Sequence, residues 1–87
     1  MKLVVSTPAQ LAEILSSARK AKGLTQAEAA ARIGVGQPRL SLLETTATAT
    51  ITLDQMLALT ALYGLELCMQ SKGGNNGIAA DHAQAEW

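Results

Sequence analysis

The chain contains no phenylalanine, one tyrosine, one tryptophan, one cysteine and one histidine, although 48 % of it is apolar. Its core must therefore be assembled from Leu, Ile, Val, Met and abundant Ala, small aliphatic groups that suit closely packed helices better than a sheet rich in aromatic and β-branched residues. A single cysteine, Cys68, cannot close an internal disulfide. Together with His82 it offers two candidate ligands where a structural zinc takes four, so no metal and no cofactor is expected. Neither these two residues nor the carboxylates are spaced to converge on a reacting atom, which argues against an enzyme. No segment approaches the roughly eighteen unbroken apolar residues of a membrane span. Leu3-Val4-Val5 is also too short for a secretory leader, so a cytoplasmic location without a membrane partner is expected.

Net charge is lacking as well: seven Lys/Arg balance seven Asp/Glu. A globally basic nucleic-acid wrapper and a polyacidic tail protein are both disfavoured. Eighty-seven residues make one small domain, which buries only roughly 60–65 % of the surface its unfolded chain exposes. The balance is nevertheless uneven along the chain. Residues 1–43 carry six Lys/Arg against two Asp/Glu, a net of +4, and the remainder carries one against five, a net of −4. An anionic partner is therefore expected on the N-terminal half.

Three capping boxes punctuate the chain. Thr7-Pro8-Ala9-Gln10 opens a helix over about 8–22, with Leu11, Ile14, Leu15 and Ala18 on one face and Gly23 as its stop. Arg19, Lys20 and Lys22 lie where the helix dipole favours cations, and that alone accounts for them; contact with phosphates is a further reading. Thr25-Gln26-Ala27-Glu28 opens a two-turn helix that Gly34 ends. A third short helix runs from Gln37 to Glu44, with Gly36 as N-cap, Pro38 in the tolerant first turn, and Leu40 and Leu43 inward. Thr45–Thr50 reads as a loop although its composition is β-prone. Thr52-Leu53-Asp54-Gln55 opens a helix to Tyr63, ended by Gly64. It is apolar on two faces: Leu53, Met56, Leu57 and Thr60 on one, Leu59 and Leu62 on the other. One face is expected in the core and the second, Leu59 with Leu62, in a partner subunit.

Leu65–Gln70 favours a strand with Leu65, Leu67 and Met69 on one side, and its obvious mate is its own copy in a homodimer. From Ser71 the composition turns to Gly, Asn, Ala and scattered charge, so residues 1–70 are read as the folded domain and 71–87 as a flexible tail. A terminal Trp87 on such a tail is an anchor for a partner pocket or a chance end residue.

Two short helices joined by Ile33-Gly34-Val35-Gly36 form a helix-turn-helix candidate, in which Gly34 permits the sharp bend and Ile33 and Val35 pin the pair. Gln37, Arg39 and Ser41 are side chains of the kinds that read base edges. Thr25 and Gln26, with the neighbouring amides, are placed to meet a phosphate, as are Arg19, Lys20 and Lys22. The alternative from spacing alone is an ordinary αα-hairpin with solvated polar positions.

Residues 11–63 resemble the Cro/C1-type (XRE) helix-turn-helix family through Leu24-Thr25-Gln26-Ala27-Glu28-Ala29-Ala30-Ala31-Arg32-Ile33-Gly34-Val35 and Leu40-Ser41-Leu42-Leu43-Glu44. The resemblance implies an all-α, four-to-five-helix lambda-repressor-like domain that binds operator DNA with palindromic half-sites. The whole chain more narrowly resembles HipB-type antitoxins, which append a dimerising strand and a flexible tail. That likeness implies a dimeric autorepressor of a type II toxin-antitoxin system that neutralises a HipA-type serine/threonine kinase, with Trp87 docking on the toxin. Other readings are a HigA-type antitoxin, a phage-type repressor without a toxin, and a protein-interaction module that does not bind DNA. Gly36 and Pro38 depart from the family pattern and shift base reading onto Gln37, Arg39 and Ser41; the Thr-rich loop departs from the Gly- or Asn-containing loop usual there.

Overall fold

Three of the four α-helices begin with the same local device, a threonine hydroxyl and a glutamine or glutamate side chain that satisfy each other's backbone amides. The computed structural model describes residues 2–45 and 48–72. Within them α1 spans Pro8–Ala21, α2 Gln26–Ile33, α3 Gln37–Leu43 and α4 Leu53–Tyr63, with a 3-10 turn at Thr48–Thr50. Thr7, Thr25 and Thr52 are the N-caps of α1, α2 and α4, and each box is complete in both directions. In the α2 box the Glu28 amide donates to Thr25 Oγ1 at 3.0 Å and the Thr25 amide to Glu28 Oε1 at 2.8 Å. Helix ends follow from glycine: Gly34 and Gly64 adopt φ of 78° and 75°, a left-handed backbone that an L side chain takes only with strain.

All four helices contribute to a small core of Leu15, Ala29, Ala30, Leu40, Leu59 and Tyr63, with Leu11, Leu24, Ile33, Val35 and Ile51 packed around it. Ala29 and Ala30 matter for their size, since α2 packs on both α3 and α4 and larger side chains would hold the three apart. The Thr48 hydroxyl, buried, donates to the Leu43 carbonyl and ties the 3-10 turn to the end of α3. Residues 48–50 are thus helical in a region expected to be a loop; residues 46 and 47 lie outside the described residues.

The structure corrects two expectations about the C-terminal part. Leu59, assigned to a subunit interface, is fully buried in this chain's own core, while Leu53 and Leu57 carry the exposed apolar face of α4. Leu62 is partly buried against the same core. Periodicity identifies an apolar helix but cannot choose between two apolar faces. The strand at Leu65–Gln70 is absent: no residue of the segment is in a strand, nor is any other described residue. A strand exists by its hydrogen-bonded neighbour, and a single chain supplies none here. Leu65 instead packs against the core, and Leu67 and Met69 are exposed. With Leu3, Val5, Leu11 and Ile14 these side chains line a groove of about 620 Å³ between the two ends of the folded region. The tail beyond residue 72, including Trp87, lies outside the described residues.

Tyr63, the one tyrosine, is 4 % exposed, and its hydroxyl has no hydrogen-bond partner among the described residues. Burial, reinforced by the nearby Glu44 charge and opposed by Arg19, pushes its pKa from 10.0 up to about 12. The folded chain thus holds the phenolic proton more tightly than the unfolded chain, so stability is full below pH 10 and falls as pH rises from 10 toward 12. Tyr63→Phe removes the unpaired hydroxyl while keeping the ring. It is expected to leave stability unchanged or raise it by about 1 kcal/mol. It should also remove the alkaline decline, as read by urea melts at pH 8 and pH 11; a loss above about 1 kcal/mol at pH 8 would contradict this.

Candidate nucleic-acid interface

α2 and α3, held at an angle by the Gly34 turn, present the first residues of both helices to solvent on one side. The inner face of α3 is set by Leu40 and Leu43, fully buried, and by Glu44, its C-cap, which is 7 % exposed. A carboxylate on an apolar face must be paired. Here Glu44 Oε2 accepts from Arg19 Nε at 2.8 Å and Oε1 accepts from Arg19 Nη2 at 3.1 Å, a two-pronged ion pair between the end of α3 and the last turn of α1. Arg19 Nη1 also donates to the Leu24 carbonyl at 2.9 Å. The hydrogen bonds to Glu44, with its charge, hold the guanidinium in its charged form against the opposing effect of burial.

The same carboxylate reaches the exposed start of α3. Gln26 Nε2 donates to Glu44 Oε1 at 3.0 Å, and Gln37 Nε2 donates to Gln26 Oε1 at 2.7 Å. Direction in this chain is forced by chemistry: a carboxylate only accepts, so Gln26 must turn its NH2 toward Glu44 and its carbonyl oxygen toward Gln37. Gln37 therefore spends one N–H on Gln26 and keeps its other N–H and its Oε1 for an outside group. Gln37 is exposed and Gln26 is half-buried, so the first residue of α3 is an oriented amide at the surface, braced through α2 to the core.

The structure distributes the other candidate residues differently from the sequence expectation. Arg19 is 8 % exposed and fully engaged with Glu44 and Leu24, so its part is structural and the phosphate contact expected of it is set aside. Lys22 is drawn to the C-terminal end of α4: a Cβ built on Gly64 would stand 3.3 Å from its Nζ, where a cation meets the negative end of the helix dipole. Lys20 is exposed. Thr25 spends its backbone N–H on Glu28 and accepts the Glu28 N–H on its hydroxyl oxygen. The backbone bond from Thr25, ahead of its hydroxyl and against slight desolvation, holds the Glu28 carboxyl below its usual range. Ser41 is half-buried next to Gln37 on the helix surface.

Arg39 does not project outward along α3. Its Nη2 donates to the Thr50 carbonyl at 3.1 Å and to Gln55 Oε1 at 3.3 Å, and its Nη1 donates to Thr50 Oγ1 at 3.3 Å. The guanidinium thereby braces the flank of α3 against the start of α4. Glu44, which ties Arg19 and Gln26 together, is not among the site residues expected from the sequence. The available signal was its position on the face of Leu40 and Leu43, together with Arg19 four residues after Leu15 on the apolar face of α1.

Among the described residues, no three His, Cys, Asp or Glu side chains are grouped to hold a metal, and no helix is long and apolar enough to cross a membrane. No curated protein and no solved structure matches the chain. A family model described as a helix-turn-helix domain matches residues 5–72, the whole of the four-helix unit. By that match, and by the paired short helices with their oriented surface amide, the chain belongs to the helix-turn-helix domain family of DNA-binding regulators.

Proposed function

We propose that the protein is a homodimeric, sequence-specific repressor that inserts α3 into the DNA major groove and reads an adenine with Gln37. The Glu44–Gln26–Gln37 relay carries this reading. It leaves Gln37 with its carbonyl oxygen and one N–H to offer, an acceptor and a donor of the kinds that adenine N6–H and N7 call for. Ser41, on the same side of α3, is a tolerant second contact. Gln26 meets DNA through its backbone, because its side chain is committed to the relay. The Gln26 and Ala27 amides lead the first turn of α2, have no intrahelical acceptor, and suit a phosphate oxygen together with the Thr25 hydroxyl. Arg39 and Lys20 supply phosphate charge at the edges. Arg39, lying along the flank of α3, serves position more than sequence.

Dimerisation is supported by the groove between residues 2–5 and 65–70 and by exposed Leu67 and Met69 beside it, apolar surface that a second copy would cover. Two α3 helices then face half-sites one helical turn apart, about 34–36 Å. Selection from a random-sequence duplex pool with the full chain is expected to enrich an inverted repeat with an adenine at a fixed place in each half. Sedimentation should give two chains per duplex. Failure to enrich any sequence would overturn the reading, and one chain per duplex would overturn the dimer.

The antitoxin role is supported by the whole-chain resemblance to HipB-type antitoxins and by Trp87, the one indole of the sequence, set among the polar and small residues that follow Ser71. In this reading the repressor also holds a HipA-type serine/threonine kinase through the indole of Trp87, which the Gly- and Asn-containing segment after Lys72 joins to the helix-turn-helix domain. Truncation after Ser71 should leave operator binding intact and speed release from a co-purifying HipA-type kinase, as measured by calorimetry and dissociation rate. An unchanged affinity and off-rate would remove Trp87 from the interface.

A further inference from the structure

Burial of Leu40, Leu43 and Glu44 fixes which side of α3 faces inward. At 100° per residue, Pro38 and Leu42 then stand together one turn apart on the opposite side, with Gln37 and Ser41 along one edge. Pro38 is exposed and Leu42 is 47 % exposed, so the outermost strip of this helix is apolar. Neither side chain can donate or accept a hydrogen bond, and neither can read the polar edge of any base. One apolar group is presented by the bases in the major groove, the methyl on C5 of thymine. Cytosine methylated at C5 presents the same group.

We propose that Leu42, backed by the Pro38 ring, contacts the 5-methyl group of a pyrimidine next to the adenine read by Gln37, making that methyl a specificity determinant. The inference rests on α3 being the groove-entering helix. It adds to the polar readout of Gln37 a contact driven by removal of the methyl and the leucine from water.

The test uses the full chain and the duplex enriched from the random pool. Each thymine is replaced in turn by deoxyuridine, which lacks only the methyl, and affinity is measured by fluorescence anisotropy at one salt concentration. At one thymine per half-site the change should weaken binding about fourfold, the factor that corresponds to one buried CH2 at about 0.8 kcal/mol. Leu42→Ala, a surface change whose folding is checked by circular dichroism, should bind thymine and deoxyuridine duplexes equally. Placing cytosine and then 5-methylcytosine at that position separates the two sources of the methyl. A gain of similar size on methylation, lost in Leu42→Ala, is expected. Absence of that gain, with the thymine effect intact, would overturn the extension to methylated cytosine.

If the duplex binds but no thymine shows a penalty that depends on Leu42, the inference fails while the assignment of α3 stands. If no duplex is bound in preference to others, the reading of the site fails first.

Discussion

Glu44→Ala is expected to cost the fold about 3–5 kcal/mol, the largest effect of any single change considered for this chain. The substitution leaves the Arg19 guanidinium buried beside Leu24 without its counter-ion, and that uncompensated charge, more than the lost attraction, sets the magnitude. It also releases Gln26, whose NH2 then lacks its acceptor. A small domain has roughly 5–15 kcal/mol in total, so the variant should be largely unfolded in modest urea. The ion pair need not be favourable against an apolar alternative of similar volume. Arg19→Met combined with Glu44→Leu, which removes both charges, should recover most of the stability. That double variant nevertheless loses the anchor of the relay, so it should fold and yet read DNA poorly. Urea melts of the three proteins decide the first point; a loss under about 1 kcal/mol for Glu44→Ala would show that the pair is solvated and the relay loosely held.

Gln37→Ala is expected to cost about 1–3 kcal/mol of specific binding and to relax the preference for adenine at one position of each half-site. Gln26→Ala should produce a similar loss at that same base, although Gln26 has no base to touch, because an unbraced Gln37 rotates and must be ordered on binding. The double variant Gln26→Ala with Gln37→Ala should then lose little beyond either single change, which is the signature of two residues acting as one unit. Lys20→Ala gives the contrast, weakening all duplexes alike. Additive losses for Gln26 and Gln37, measured by anisotropy on the selected duplex and on its adenine-substituted counterpart, would contradict the relay.

Much of the fold was legible because helix starts and stops are local. Thr7, Thr25 and Thr52 each announce a helix through a partner three residues on, and Gly34 and Gly64 end helices for a reason contained in their own backbone. What was not legible depends on distant partners. Arg19 looked like a cation suited to the end of α1, and its pairing with Glu44 is visible only once α3 returns across it. Arg39 has the chemistry of a base reader, and what turns it aside is the segment before α4, whose path no spacing rule prescribes. Leu59 and Leu53 are equally apolar, so their assignment to core and surface had to come from packing. Gln37 was legible by type and position, whereas its orientation was not, because that descends from Glu44 through Gln26.

The most direct test of DNA reading through α3 is the dependence of affinity on salt for the selected duplex and for a scrambled one. Each phosphate neutralised contributes about −0.9 to the slope of log affinity against log salt. A dimer whose Lys20 and Arg39 neutralise two phosphates per half-site should give a slope of about −3.6 on both duplexes, since phosphate contact carries no sequence. The selected duplex should remain the tighter binder at every salt concentration, and Gln37→Ala should narrow that gap while leaving the slope in place. Binding that ignores salt, or equal affinity for the two duplexes throughout, would contradict the account.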